Sequence, residues 1–226
     1  MNSDNRLKLI IFLMFSFMLT CSVVYGETKV DRILEKVVDS HKRFADGMCV
    51  PYQREILSKS MAMLEEDMGL DKAAGTFFFK GPHFLKVQQD TPGKEFVISN
   101  GKSIWWYVPD EKTAYRYDDL GKELSILSTI FLGLKNPEES FDVTITESGD
   151  VKEYTLTLVP IQSLEEIDSI NVTVSSKDYR ITRVEFTDIS GTLTRFRLGE
   201  FELKSDLDDS FFEFKVPEGV KVITEK

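Results

Sequence analysis

Cysteine is nearly missing from this chain of 226 residues: it has two, Cys21 and Cys49, far apart. Once the leader discussed below is set aside, Cys49 stands alone, so no internal disulfide staples the fold. Histidine is as scarce, with only His41 and His83. No His-Glu-x-x-His, Cys-x-x-Cys or paired His/Cys spacing occurs, which argues against a structural or catalytic zinc site. The nucleophile elbow G-x-S-x-G, the P-loop and the dinucleotide fingerprint G-x-G-x-x-G are missing too. Basic residues are in deficit, 28 against 38 acidic, for a formal charge of −10. That balance excludes ordinary nucleic-acid binding, which needs Lys and Arg against phosphates, and attachment by charge to an anionic membrane surface.

What remains is an ordinary globular composition, 42% hydrophobic and 29% charged, preceded by a leader. Arg6 and Lys8 stand before an apolar run from Leu9 to Leu19, too short for the roughly 20 residues that a spanning helix requires. With small residues at Val24 and Gly26, residues 1–26 read as a secretory signal cleaved before Glu27. The alternative uses Met18-Leu19-Thr20-Cys21 as a lipobox that acylates Cys21, although Thr20 is a poor residue in front of such a cysteine. Residues 27–226 show no repeat, no low-complexity linker and no composition break, and read as a single domain.

That domain opens with an amphipathic helix. Val30, Ile33, Leu34, Val37, Val38, His41 and Phe44 recur at helical spacing, opposite a mixed-charge face, and the pattern ends near Gly47. His41 on the apolar stripe reads as a packed residue rather than a ligand. Period-two alternation then takes over. Strands are expected at 75–80, 84–87, 95–99, 103–108, 113–117, 141–147, 151–159, 167–175, 180–187, 192–203 and 211–216. Asn100-Gly101 gives the strongest hairpin signal. The apolar phase slips at Gly199, which predicts a bulge there. A second helical stretch, Glu123 to Leu134, is apolar on nearly every side and must be buried. The pattern is α+β, mainly β: a curved antiparallel sheet or incomplete barrel with helices against its concave side.

No catalytic constellation emerges. Asp118-Asp119, Glu165-Glu166 and Asp208-Asp209 fit a solvated surface better than a carboxylate pair, and the sequon Asn171-Val172-Thr173 is a chance match. Aromatic residues instead crowd one half of the chain: Phe77, Phe78, Phe79, Phe84, Phe96, Trp105, Trp106, Tyr107 and Phe131. Phe77-Phe78-Phe79 and Ile104-Trp105-Trp106-Tyr107 put large side chains on both faces of their strands, so both faces need cover. A full core and a ligand cavity both satisfy that need.

Three segments resemble outer-membrane lipoprotein carriers of the LolA type. The first is Gly75-Thr76-Phe77-Phe78-Phe79-Lys80-Gly81-Pro82-His83-Phe84-Leu85, where that family reads Gly, apolar strand, Lys-Arg-Pro and an apolar pair. The second runs from Val97-Ile98-Ser99-Asn100-Gly101 to Tyr107-Val108-Pro109, and the third is Phe212-Glu213-Phe214-Lys215-Val216-Pro217-Glu218-Gly219-Val220. The resemblance implies a half-open β-barrel whose helices form a lid over an apolar cavity. It implies a non-enzymatic periplasmic protein, without cofactor or metal, that acts as a monomer. Its expected partners are acylated lipoproteins, an inner-membrane lipoprotein-releasing ABC transporter and an outer-membrane acceptor. Residues expected in the cavity and lid are Val30, Ile33, Val37, Phe44, Phe77, Phe79, Phe84, Trp105, Tyr107, Ile126, Ile130 and Phe131. The family's Arg between Lys and Pro, tied to lid closure and transfer, is Gly81 here. Acylation at Cys21 would instead make the chain a tethered acceptor or an envelope sensor of the same fold.

Overall fold

A computed structural model describes residues 28–58, 71–118, 126, 129–147, 152–162 and 167–225. The leader and its Cys21 lie outside them. Helix α1 (Lys29–His41) starts at a capping box. The Thr28 hydroxyl accepts from the Asp31 amide at 3.2 Å, and the Asp31 carboxylate accepts from the Thr28 amide at 2.8 Å. A 3₁₀ turn (Lys42–Phe44) follows. The chain then swings at Gly47, whose φ is +147° and whose Cβ, if present, would lie 2.2 Å from the Lys204 carbonyl oxygen. Only glycine tolerates both conditions.

Among the described residues thirteen strands form one sheet. In chain order they are β1 (Met48–Leu57), β2 (Asp71–Lys80), β3 (Phe84–Thr91), β4 (Glu95–Asn100), β5 (Ile104–Val108), β6 (Thr113–Tyr117), β7 (Phe141–Glu147), β8 (Glu153–Pro160), β9 (Ile167–Ser175), β10 (Ile181–Asp188), β11 (Leu193–Leu198), β12 (Glu202–Leu203) and β13 (Lys221–Glu225). Their spatial order is β13-β6-β5-β4-β3-β2-β1-β11-β10-β9-β8-β7, with β12 extending the β11 side of β1. All neighbours are antiparallel except β13, which runs parallel to β6. The sheet is open and curved, and β7 and β13 are its edges.

The expected strands are present with small changes of boundary, apart from three differences. First, β1 goes unpredicted because Pro51, Arg54 and Glu55 interrupt its apolar alternation. Pro51 is tolerated in this central strand because it faces the break between β11 and β12. Its carbonyl accepts from the Gly199 amide at 2.8 Å on that side, so the missing N–H costs no ladder bond. The phase slip at Gly199 is therefore a full interruption of the strand. Second, residues 211–216 are not a strand. Asp209–Phe212 form a 3₁₀ turn, and the segment lies flat across the sheet instead of pairing with an edge. Third, β13 is an added strand. Of the second predicted helix, Ile126 and residues 129–131 are described and helical, residues 132–134 form a turn, and 123–125 and 127–128 lie outside the described residues.

Register assigns the two faces, because directly opposed residues point the same way. Phe77, Phe79, Leu85, Val87, Val97, Ile104 and Trp106 share the inner face of β2–β5, and Phe78, Phe84, Lys86, Ile98, Trp105 and Tyr107 share the outer one. Helix α1 covers the inner face on the β7–β10 side. There Ile33, Leu34, Val37, Ile126, Ile130 and Leu134 pack on Phe141, Leu156, Leu158, Ile170, Val172 and Val184. The outer face of β10, β11 and β1 is wet and carries an alternating ladder: Glu185 pairs with Arg195 (2.6 Å), Arg195 with Glu55 (3.6 Å) and Glu55 with Arg197 (3.1 Å).

Candidate functional site

The inner face carries both apolar clusters of the described residues. Under β1–β3 a second cluster joins Phe44, Met48, Val50, Tyr52, Phe77, Phe79, Leu85, Phe131 and Phe201. Phe131 reaches in from the second helical segment, its ring centroid 5.2 Å from that of Phe77 and 5.5 Å from that of Phe79. Apolar contact thus makes up much of the docking, and the Gly81 amide adds a backbone bond to the Ala45 carbonyl at 2.9 Å.

Few polar ties hold α1 down. Lys36 Nζ donates to Tyr179 Oη at 3.0 Å and lies 4.7 Å from that ring, and Ser40 Oγ donates to the Tyr179 carbonyl at 2.9 Å. At the C-terminal end of the helix His41 is 1% exposed, edge-on to Phe201 with centroids 5.2 Å apart. Its Nδ1 lies 2.9 Å from the Val37 carbonyl, while Nε2 is buried without a partner among the described residues. Burial pushes the His41 pKa down, against the smaller opposing effect of the Val37 carbonyl. Gly133, at φ +79°, closes over it: a Cβ there would sit 2.8 Å from that of His41. Position 81 abuts the same assembly. A Cβ on Gly81 would lie 3.2 Å from the Ala45 carbonyl oxygen and 3.5 Å from Leu132 Cδ2. Lys80 points the other way, to Asp209 at 2.6 Å and the Leu207 carbonyl at 3.0 Å.

Beside the apolar floor lies a polar row. Gln89 Nε2 donates to the Gly93 carbonyl and to Glu95, each at 3.1 Å, and the other Glu95 oxygen accepts from Trp106 Nε1 at 2.9 Å. Along the outer flank of α1 runs a cleft of about 730 Å³, lined by Val30, Leu34, Val38, Phe141 and Val143 with Glu35 and Asp142 at its rim. The single described thiol, Cys49, is 8% exposed and its pKa is pushed up by burial and then by Glu202, the reverse of an activated nucleophile.

The structure brings Ile33, Val37, Phe44, Phe77, Phe79, Ile126, Ile130 and Phe131 together between helices and inner face, with Val30 at the margin. It does not bring Phe84, Trp105 and Tyr107 to them. Those three lie on the outer face, where Phe84 meets Phe212 (5.3 Å) and Trp105 and Tyr107 meet Phe214 (5.1 and 5.2 Å). The residues facing inward in their place are Leu85, Val87 and Trp106. The signal lay in the short β2–β3 loop: pairing Lys80 with Phe84 turns Phe84 away from Phe79.

Fold and site thus define a class, an open curved sheet whose apolar inner face lies under helices. Comparison with known proteins narrows it. The model of the family "Outer membrane lipoprotein carrier protein LolA" matches residues 63–215, and the chain belongs to that family. It is 29% identical over 159 residues to an outer-membrane lipoprotein carrier protein of Azotobacter vinelandii, covering 69% of this chain and 74% of that one. A carrier of the same name from Pseudoalteromonas translucida is 26% identical over 160 residues, covering 66% and 69%. Among solved structures, an uncharacterized conserved protein of Thermus thermophilus shares the fold, with a TM-score of 0.53 at 13% identity over 88% of this chain and 100% of that one.

Proposed function

We propose that this chain is a soluble periplasmic carrier that takes up the acyl chains of lipoproteins released from the inner membrane and delivers them to the outer membrane. In this reading residues 1–26 are the export signal, residues 27–226 are one carrier domain, and the protein catalyses no reaction. The observation that carries it is an apolar inner face, in a chain of the LolA family, covered by helices instead of a second sheet. Each CH₂ of an acyl chain costs about 0.8 kcal/mol in water, so cargo needs an enclosed apolar path. The empty carrier fills that path itself: Ile33 and Val37 of α1, with Ile126, Ile130 and Phe131, occupy the cavity that cargo claims on loading. Exchange of one apolar occupant for another keeps the free-energy difference small, which allows delivery as well as uptake. The expected partners are the inner-membrane ABC transporter and the outer-membrane acceptor of the pathway. With Gly81 at the family's Arg position, closure of the lid falls to contacts such as Lys36–Tyr179.

Native mass spectrometry of tagged protein recovered from periplasm tests this. A mass beginning at Glu27 and carrying acylated lipoprotein is expected. Empty protein that also fails to release lipoproteins from spheroplasts would overturn the reading, and a mass beginning at lipidated Cys21 would make the chain a tethered acceptor.

A further inference from the structure

Register puts one basic residue on the inner face of the central strands β1–β3 and β9–β11. Arg54 is opposed by Ala73 on β2 and Phe196 on β11, both in the apolar lining. Its Nη2 pairs with Asp71 Oδ1 at 3.1 Å. Its Nε is buried and has no hydrogen-bond partner among the described residues. A buried guanidinium N–H left unpaired is costly and rare. The polar groups of the next row on the same face are satisfied among themselves, Gln89 by Gly93 and Glu95, and Trp106 by Glu95. The Arg54 Nε–H is thus an idle donor one row beyond the polar groups that border the apolar floor of Val50, Phe77 and Val87.

We infer that Arg54 Nε receives a carbonyl oxygen at the junction where acyl chains join their polar carrier, and so sets the depth to which the chains enter. The inference rests on the carrier reading above and adds a ligand class to it. The acceptor is neutral rather than anionic. Asp71 already balances the guanidinium charge, and Tyr52, one row away, feels the carboxylates of Asp90 and Glu95 as well as Arg54. A second anion would enter a site whose charges already sum below zero. The ester carbonyls of a diacylglyceryl group are neutral acceptors that reach such a donor while their chains lie on the floor.

The test uses the full mature chain and two synthetic palmitoylated cysteinyl lipopeptides of equal chain length, one ester-linked and one ether-linked, in a competition binding assay. The native chain is expected to hold the ester form on the order of tenfold more tightly, and Arg54→Met to abolish that preference while changing ether binding by about twofold or less. Asp71→Asn breaks the same ion pair but keeps Nε, and retains the preference. Should Arg54→Met fail to fold by circular dichroism, Arg54→Lys is read instead, since it keeps the cation and lacks Nε–H. Equal binding of both lipopeptides by the native chain, or a preference that survives loss of Arg54, overturns the inference and leaves the carrier standing. Binding of neither overturns both.

Discussion

The two faces of β2–β5 are both apolar, yet they are covered in opposite ways. On the outer face, residues 209–214 form a strap. Phe211, Phe212 and Phe214 pack on Phe78, Phe84, Trp105 and Tyr107, and the strap is pinned by Lys80–Asp209 and Asn100–Glu213 before the chain continues into β13. Lys86 lies under the strap, 4.0 Å from the Phe211 ring, and burial lowers its pKa. On the inner face the cover is helical, joins no strand ladder, and is tied by a lysine, a serine and a buried histidine. Apolar burial alone does not mark a binding surface. What separates the two sides is how the cover is fastened: the strap is tied to β2 and β4 and runs on into β13, while α1 is tied through Lys36 and Ser40 to Tyr179.

The largest effect should therefore come from the outer face. Phe212→Ala removes a ring that is 1% exposed and should cost about 3–5 kcal/mol, seen as a lowered Tm, while the protein that remains folded binds lipopeptide normally. Ile33→Ala, on the inner cover, should cost about 2 kcal/mol, the low end for such truncations, because a helix docked mainly by apolar contact can settle into the gap. Its main signature is faster amide exchange confined to α1. Equal global destabilisation by the two variants would erase the proposed contrast.

The pH response sharpens the comparison further. Burial depresses the His41 pKa in the folded state, so the unfolded chain binds the proton more readily. Stability is then complete above the unfolded value of about 6.5 and declines as pH falls through it toward the lower folded value. The charges around the ring, Arg180 and Arg43 against Asp178, leave this direction in place. Protection factors in α1, taken relative to intrinsic exchange at each pH, should fall as pH drops from about 7 to about 5 while those of the strap hold, and His41→Leu should flatten the dependence. The smallest effect is expected from Tyr179→Phe. It removes the acceptor of Lys36 at an exposed site, leaves Tm unchanged within error, and slightly accelerates exchange at the C-terminal end of α1.

Much of this frame was legible because local rules spoke clearly. Helix α1 follows from its periodicity, and the β4–β5 hairpin from Asn100-Gly101, whose φ of +80° needs glycine. Strand β1 was hidden because its place depends on a break in a strand some 150 residues later, which no local pattern reports. The strap was misread for a related reason: alternation in Phe212-Glu213-Phe214 reports one buried side, and a segment lying across a sheet buries one side as a strand does. The division of aromatics between faces needed loop lengths as well as composition. Trp105 and Trp106 are neighbours in sequence and lie on opposite sides of the sheet. Arg54 was invisible as a site residue because a charge within a strand reads as solvent-facing until its cross-strand partners are known.

The strap also fixes a timetable. A chain that emerges from N- to C-terminus exposes Phe78, Phe84, Trp105 and Tyr107 long before residues 209–214 exist to cover them. Through most of its synthesis the sheet carries a bare aromatic patch of the kind that other proteins seize or that promotes clumping. The strap acts as a completion seal, and a product truncated before Asp209 leaves that patch open to holding factors and proteases.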